Sequence, residues 1–267
     1  MDKTRPIGLF DSGFGGLTVM KEIARHLPSE HLVYFGDTAH LPYGNKSPQA
    51  VLEYALNNAS FLLKQNIKLL IIPCHTACCH ALETLKSKLP IPVVGVTEPG
   101  IELLKQSTRS WRIAILGTTS TIQSGIYQSL ILQQNQKATL FPTACPLFVP
   151  LVEEGLFDHP SAHLIAEHYL AFLKDKQIDS ALLACTHYPL LKTTIQDVLG
   201  PAVKLIEPAE ICAIQTREIL LRSNLLNVAA QAPRYQFFAS DDPDKFKRFA
   251  PLFFGSEIDS VERISIL

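Results

Sequence analysis

Short apolar runs recur along the chain, separated by segments of helical spacing, and this alternation constrains the fold more than any other feature. The runs cover residues 7–10, 32–36, 69–73, 93–96, 112–116, 138–142, 180–184 and 203–206. Each is brief, rich in branched aliphatics and bounded by Gly, Pro or polar residues, which is the signature of a buried strand. Helical spacing occupies 16–26, 48–65, 77–88, 161–176 and 208–222. Strand–helix alternation predicts an α/β fold with parallel sheets. Ligands of such sheets bind beyond the carboxyl ends of the strands. Polar residues directly after each run are therefore the candidates for chemistry.

A weak internal repeat lies in those positions. The first run leads into Asp11-Ser12-Gly13, and about sixty residues later a run leads into Cys74-His75-Thr76. The run at 112–116 leads into Gly117-Thr118-Thr119-Ser120-Thr121, and about sixty-five residues later another leads into Cys185-Thr186-His187. The repeat predicts two similar parallel-sheet α/β domains, pseudo-twofold related and facing each other across a cleft. Their expected bounds are 1–97 and 98–207, with 99–111 as the crossover and 208–267 as a C-terminal segment. Asp241-Asp242-Pro243-Asp244 reads as a solvated turn that caps a late helix.

Composition narrows the class. With 267 residues, 47% of them hydrophobic, the chain can bury one large core or two modest ones. A formal net charge of -1 gives no basic field for nucleic acid. The apolar runs are too short to span a bilayer, and the stretch MDKTRPIGLFDSG contains no secretory apolar core. A cytoplasmic protein is expected. Its six cysteines are then free thiols or ligands rather than a disulfide framework.

Each motif has a plain reading beside its functional one. Asp11-Ser12-Gly13-Phe14-Gly15-Gly16 follows a strand and opens a helix, so backbone N–H groups can hold an anion there. Its spacing fits neither the dinucleotide fingerprint nor the P-loop. The competing reading is a structural turn with Asp11 or Ser12 as a helix cap. Cys74 and Cys185 each end a strand and carry Thr and His beside them. A thiol at a helix start next to a histidine gains thiolate character and can serve as nucleophile or base. The alternative is a small buried hydrophobe, which suits Cys145 and Cys212 best. Cys74, His75, Cys78, Cys79 and His80 are dense in metal-ligating atoms, but zinc-site spacing is missing, so no metal is expected. Pro42-Tyr43-Gly44 lies in a long polar loop suited to covering a ligand, or to plain connection. Glu153 and Glu154 read as surface charges, and His163 and His168 as exposed or capping residues. Thr118 to Thr121 offers hydroxyls and amides for a carboxylate, with capping explaining at least one of them.

Together the motifs resemble a known family. IGLFDSGFGGLTV at 7–19, YFGDTAHLPYGNKS at 34–47, LGTTSTIQSGIY at 116–127, CPLFVPLVEEG at 145–155 and ACTHYPLL at 184–191 are similar, in order, to the glutamate racemases of the aspartate/glutamate racemase superfamily. The resemblance implies a cofactor-independent isomerase that interconverts L- and D-glutamate for peptidoglycan synthesis. Cys74 and Cys185 would stand on opposite sides of the substrate α-carbon, one removing the proton and the other delivering one. Asp11 would assist Cys74, while Glu153 and His187 would serve Cys185. Asp11, Ser12, Pro42, Tyr43, Gly44, His75, Thr76, Thr118, Thr121, Thr186 and His187 would hold the substrate. The resemblance also implies that the C-terminal segment returns to the first domain, and that the protein is a homodimer with glutamate as its small-molecule partner, without nucleic acid or membrane.

One position departs from that pattern. Where the family's first cysteine loop usually reads Cys-Asn-Thr-Ala, this chain reads Cys74-His75-Thr76-Ala77. Imidazole is bulkier than an amide and can carry charge. His75 would then either replace the amide, with scope also to lower the Cys74 pKa, or impair glutamate binding. The rival readings are a racemase for another amino acid such as aspartate, and a non-catalytic binding homologue. The family also commonly shows Asp-Ser near Glu207-Pro208.

Overall fold

The computed structural model describes residues 2–229 and 232–265. All eight expected runs are strands, and they form two parallel sheets in two α/β units. One unit comprises Met1–Val96 with Ala209–Leu267, the other Thr97–Pro208. The first unit holds β1 (Ile7–Asp11), β2 (Leu32–Gly36), β3 (Leu69–Ile72), β4 (Val93–Gly95), β9 (Tyr235–Ala239) and β10 (Glu262–Arg263). Its helices are α1 (Leu17–His26), α2 (Pro48–Lys64), α3 (His75–Lys88), α10 (Ala209–Arg222) and α11 (Pro243–Phe254). The second unit holds β5 (Arg112–Gly117), β6 (Thr139–Ala144), β7 (Ser180–Ala184) and β8 (Lys204–Ile206). With them run α4 (Thr97–Ser107), α5 (Thr119–Gln123), α6 (Ile126–Gln134), α7 (Phe148–Glu153), α8 (Pro160–Leu170) and α9 (Lys192–Leu199).

The first sheet has the order β10-β9-β2-β1-β3-β4, the second β6-β5-β7-β8. Without β9 and β10 the two orders correspond strand for strand, so the weak repeat in the sequence is a repeat of topology. β1, β2 and β3 are buried at every position. Helices cover both faces of such a sheet, which explains why these strands read as continuous apolar runs and not as alternating ones. α1 buries Leu17, Val19, Met20 and Ile23, and packs on α10 and α11. Each such side chain removed from water contributes roughly 1.5–3 kcal/mol. Ser47 caps α2 by accepting from the Ala50 N–H, and Pro48 stands at the first helical position, where no N–H is needed.

Several boundaries differ from expectation. α3 starts at His75, not at residue 77, because Cys74 takes the N-cap position. The expected helix over 161–176 is α8 followed by a tighter turn over Ala171–Lys176 that ends on Gln177 in the left-handed region, at φ 51°. β9 and β10 lie outside the predicted strands. In chain order β9 follows α10 and β10 follows α11, yet β9 pairs with β2 from Leu32↔Tyr235 to Gly36↔Ala239. The late helix is present: Asp242 caps α11 by accepting from the Lys245 N–H, and Gly255 closes it at φ 88°.

A buried ion pair anchors the lower edge of the first sheet. Lys68 Nζ lies 2.5 Å from Glu30 Oε2 with both side chains shielded from water. The same ammonium donates to the backbone oxygens of Lys3 and Leu225. Glu30 Oε1 accepts from the Asn227 N–H at 2.9 Å. Among the described residues no helix is long and apolar enough to cross a membrane.

Candidate active site

The candidate residues fall at the carboxyl ends of the strands in both units. In the first unit β1 ends at Asp11, whose Oδ1 accepts from the Ser12 N–H at 2.6 Å and lies 3.2 Å from Ser12 Oγ. The expected cap on α1 is absent: the helix starts from Gly16 without a side-chain cap. The physical reason is space. A Cβ on Gly16 would lie 2.7 Å from Asp11 Oδ2 and 2.8 Å from Pro73 Cβ, so the glycine leaves room for the carboxylate to fold against its own loop. The loop is held from below by Tyr34, whose hydroxyl donates to the Gly13 carbonyl at 2.9 Å.

β3 pairs directly with β1, Ile7 against Leu69, which brings the loop after β3 beside the loop after β1. Cys74 Sγ is 4.0 Å from Ser12 Oγ. The sulfur also caps α3, accepting from the Ala77 N–H at 3.4 Å. The positive end of a fourteen-residue helix thus faces a sulfur of which only 5% is exposed, a setting suited to negative charge there. Thr76 and His75 are buried in the first turn. Burial pushes His75 down to about 3, so the ring is neutral in ordinary solution. A neutral imidazole offers one donor and one acceptor.

Tyr43 sits after β2 in the same unit. Its hydroxyl donates to Asp37 Oδ2 at 2.5 Å and accepts from Asn58 Nδ2 at 2.9 Å. Burial and the Asp37 charge raise the phenol well above its ordinary value, so it stays protonated. Pro42 before it follows a cis peptide bond, and Gly44 after it is half-buried.

The second unit repeats the plan with different chemistry. Thr118, after β5, caps α5 by accepting from the Thr121 N–H, and its hydroxyl lies 3.0 Å from Thr121 Oγ1. β7 pairs with β5 and leads into Cys185, Thr186 and His187, all buried. Cys185 Sγ is 3.9 Å from His187 Nδ1, and His187 Nε2 is 3.0 Å from Glu153 Oε1 at the end of α7. Burial alone lowers the imidazole, but contacts with Cys185 and Glu153 outweigh it and raise His187 to about 10. The ring therefore carries a proton next to the sulfur, with a carboxylate behind it. Beneath this loop Tyr188 donates to the Cys145 carbonyl at 2.9 Å and packs edge-on against Phe148.

The plainer readings hold elsewhere. Cys145 and Cys212 are core residues, Glu154 is exposed, and His163 and His168 face solvent. Cys78 turns inward, its thiol donating to the Ile72 carbonyl at 3.2 Å. Among the described residues, Glu22, His26 and Glu210 form a grouping of three metal-ligating side chains, where Arg25 already pairs with both glutamates. Sequence reasoning passed over Asp37, although it lies inside the motif at 34–47. Its signal was available: a carboxylate one residue past a strand end.

The sequence pattern of the Asp/Glu/Hydantoin racemase family matches residues 7–216. The chain belongs to this family. It is 46% identical over 262 residues to a glutamate racemase from Geobacter metallireducens, covering 98% of this chain and 97% of the relative. Among solved structures, a glutamate racemase isoform from Bacillus anthracis superposes with a TM-score of 0.94 at 34% identity, over 99% of this chain and 98% of that one. A glutamate racemase from Francisella tularensis, solved in complex with D-glutamate, gives 0.93 at 35% identity with the same coverage.

Proposed function

We propose that this protein is a glutamate racemase, interconverting L- and D-glutamate by a two-thiol mechanism without a cofactor, and so supplying D-glutamate for peptidoglycan synthesis. The observation that carries the reading is the doubled placement of a buried free cysteine after the third strand of each four-strand repeat. Inversion at carbon needs a base on one face and an acid on the other, and the chain has one such thiol per unit. In one direction the Cys74 thiolate takes the α-proton, the C–H electron pair stays on the substrate, and the Cys185 thiol delivers a proton to the opposite face. The reverse direction exchanges the roles. Asp11 supports Cys74, and the His187–Glu153 pair returns protons to Cys185.

The α-hydrogen of an amino acid is a weak acid, so the protein must stabilise the charge that builds on the carboxylate. The hydroxyls of Thr118, Thr121, Thr186, Ser12 and Thr76 and the backbone N–H groups of Tyr43 and Gly44 supply donors for the substrate carboxylates, while hydroxyl and carbonyl oxygens accept from its ammonium group. Neutral His75 fills the place of the family's amide with one donor and one acceptor. Similarity along nearly the whole chain to glutamate racemases supports this substrate over aspartate.

The test is α-hydrogen exchange of L- and D-glutamate in heavy water with reduced, metal-free protein and no added cofactor, followed together with optical rotation. Exchange and racemisation from both enantiomers are expected, with aspartate competing poorly. Cys74→Ser and Cys185→Ser should each abolish racemisation. Turnover of aspartate but not glutamate would replace the substrate, and binding without exchange would replace the enzyme by a binding homologue.

A further inference from the structure

Asp37 is the hub of a hydrogen-bond cluster in the first unit that reaches beyond the stretch matched by the family. Its backbone N–H donates to the Asp11 carbonyl at 2.9 Å, which fixes it beside the first candidate loop. Its carboxylate accepts the Tyr43 hydroxyl on Oδ2, and on Oδ1 it meets His40 Nδ1 and the Ser240 hydroxyl, each at 2.9 Å. Ser240 is the residue after β9, and its own N–H donates to the Gly36 carbonyl at 3.0 Å. The same hydroxyl accepts from the Ala39 N–H at 2.8 Å. Alongside, Thr38 and Asp241 exchange two hydrogen bonds between hydroxyl and backbone. Behind Tyr43, Asn58 completes its hydroxyl, and Tyr54 stacks on His40 at 4.0 Å between ring centroids. The 37–46 loop is thus gripped by a segment that lies more than twenty residues past the family match, which ends at residue 216.

Two consequences follow from the geometry. Asp37 is 2% exposed and carries donors on both oxygens, so its carboxylate is committed to the loop and not to a ligand. The Tyr43 hydroxyl is likewise committed, between Asp37 and Asn58. Whatever the 42–44 loop gives a substrate, it gives through its backbone.

We propose that Asp37 and Ser240 act as a positioning pair that holds the Pro42-Tyr43-Gly44 backbone in its substrate-binding form. The proposal rests on the glutamate racemase reading. A loop that holds the substrate equally in ground and transition states changes KM and leaves kcat nearly untouched when it is displaced. Losing a buried hydrogen bond to a charged group corresponds to about a ten- to a hundredfold change in affinity.

The experiment is a double-mutant cycle on the full chain with Asp37→Asn, Ser240→Ala and both together. Tyr43→Phe serves as a second probe should Asp37→Asn fail to fold. Steady-state racemisation of both enantiomers gives KM and kcat, and thermal unfolding gives Tm. The expected result is a KM for glutamate raised about tenfold in each single variant, with kcat within about twofold. In the double variant the effects should be clearly less than additive, because both changes break one contact. Tyr43→Phe should shift KM in the same direction. Lower Tm with unchanged KM would overturn the proposal and leave the cluster purely structural. Fully additive effects, or a loss confined to kcat, would also overturn it. Failure of the wild-type protein to racemise glutamate would instead refute the reading on which the proposal rests.

Discussion

Two buried histidines in this chain are pushed in opposite directions, and the difference assigns them different work. Burial lowers His75 to about 3, whereas contacts with Cys185 and Glu153 outweigh burial and raise His187 to about 10. The two therefore limit stability at opposite ends of the pH scale. The unfolded chain protonates His75 near 6.5, so its burial costs stability progressively as pH falls below about 6.5 toward about 3. His187 contributes stability that is full below about 6.5 and is lost as pH rises toward about 10. Urea unfolding midpoints across pH check this. His75→Asn should flatten the acid decline relative to the parent, and His187→Gln should flatten the alkaline one. If His75→Asn unfolds with the same acid dependence as the parent, the neutral buried ring is wrong.

At the scale of elements, the turns after strands carry the chemistry, and their tolerances are set by close packing. Gly16 has ordinary helical angles, φ -63° and ψ -11°, so conformation does not require glycine there. Space does, because Asp11 and Pro73 fill the position of a Cβ. Gly16→Ala should cost about 1–3 kcal/mol by overpacking and should lower kcat/KM by displacing Asp11. Calorimetry alongside kinetics would show it, and a variant with parental stability and activity would contradict the packing argument. The inner strands were legible because they are branched-aliphatic runs, and both cysteine loops were legible because they end such runs, whereas β6 is largely accessible and has Leu140 as its one branched aliphatic. β9 was not, since Tyr235-Gln236-Phe237-Phe238-Ala239 is short, contains a polar residue and gains its meaning only by pairing with β2, about two hundred residues earlier. Asp37 escaped for a related reason. Its role depends on Ser240, a partner that sequence spacing cannot bring near. The competing reading of Asp11 or Ser12 as a cap on α1 does not hold, because Gly16 takes the N-cap position with Asp11 and Pro73 packed against it.

At the scale of the whole molecule, the N-terminal stretch and the segment after α10 are tied together by the buried pair of Lys68 and Glu30. Lys68 bonds the carbonyls of Lys3 and Leu225 while Glu30 receives Asn227, so one ion pair joins the N-terminal stretch, the start of β3 and the segment after α10. Lys68→Ala should destabilise the protein by about 3–5 kcal/mol, because it strands a buried carboxylate. Lys68→Met combined with Glu30→Gln should recover most of that loss. Equal destabilisation in the two variants would show that the hydrogen bonds to the carbonyls, and not the charge pair, hold the joint. Retained stability in Lys68→Ala would show that neither does.

The matching strand orders of the two sheets have a further consequence. The two units place different groups beside the thiol, Asp11 and Ser12 near Cys74 and the His187–Glu153 pair near Cys185. Mirror-image substrates have identical free energies in water, so the equilibrium constant of a racemisation is unity. The Haldane relation then forces kcat/KM to be the same in both directions. However unlike the surroundings of the two thiols are, their inequality can appear only as compensating differences in kcat and KM, and never as a preferred handedness at equilibrium.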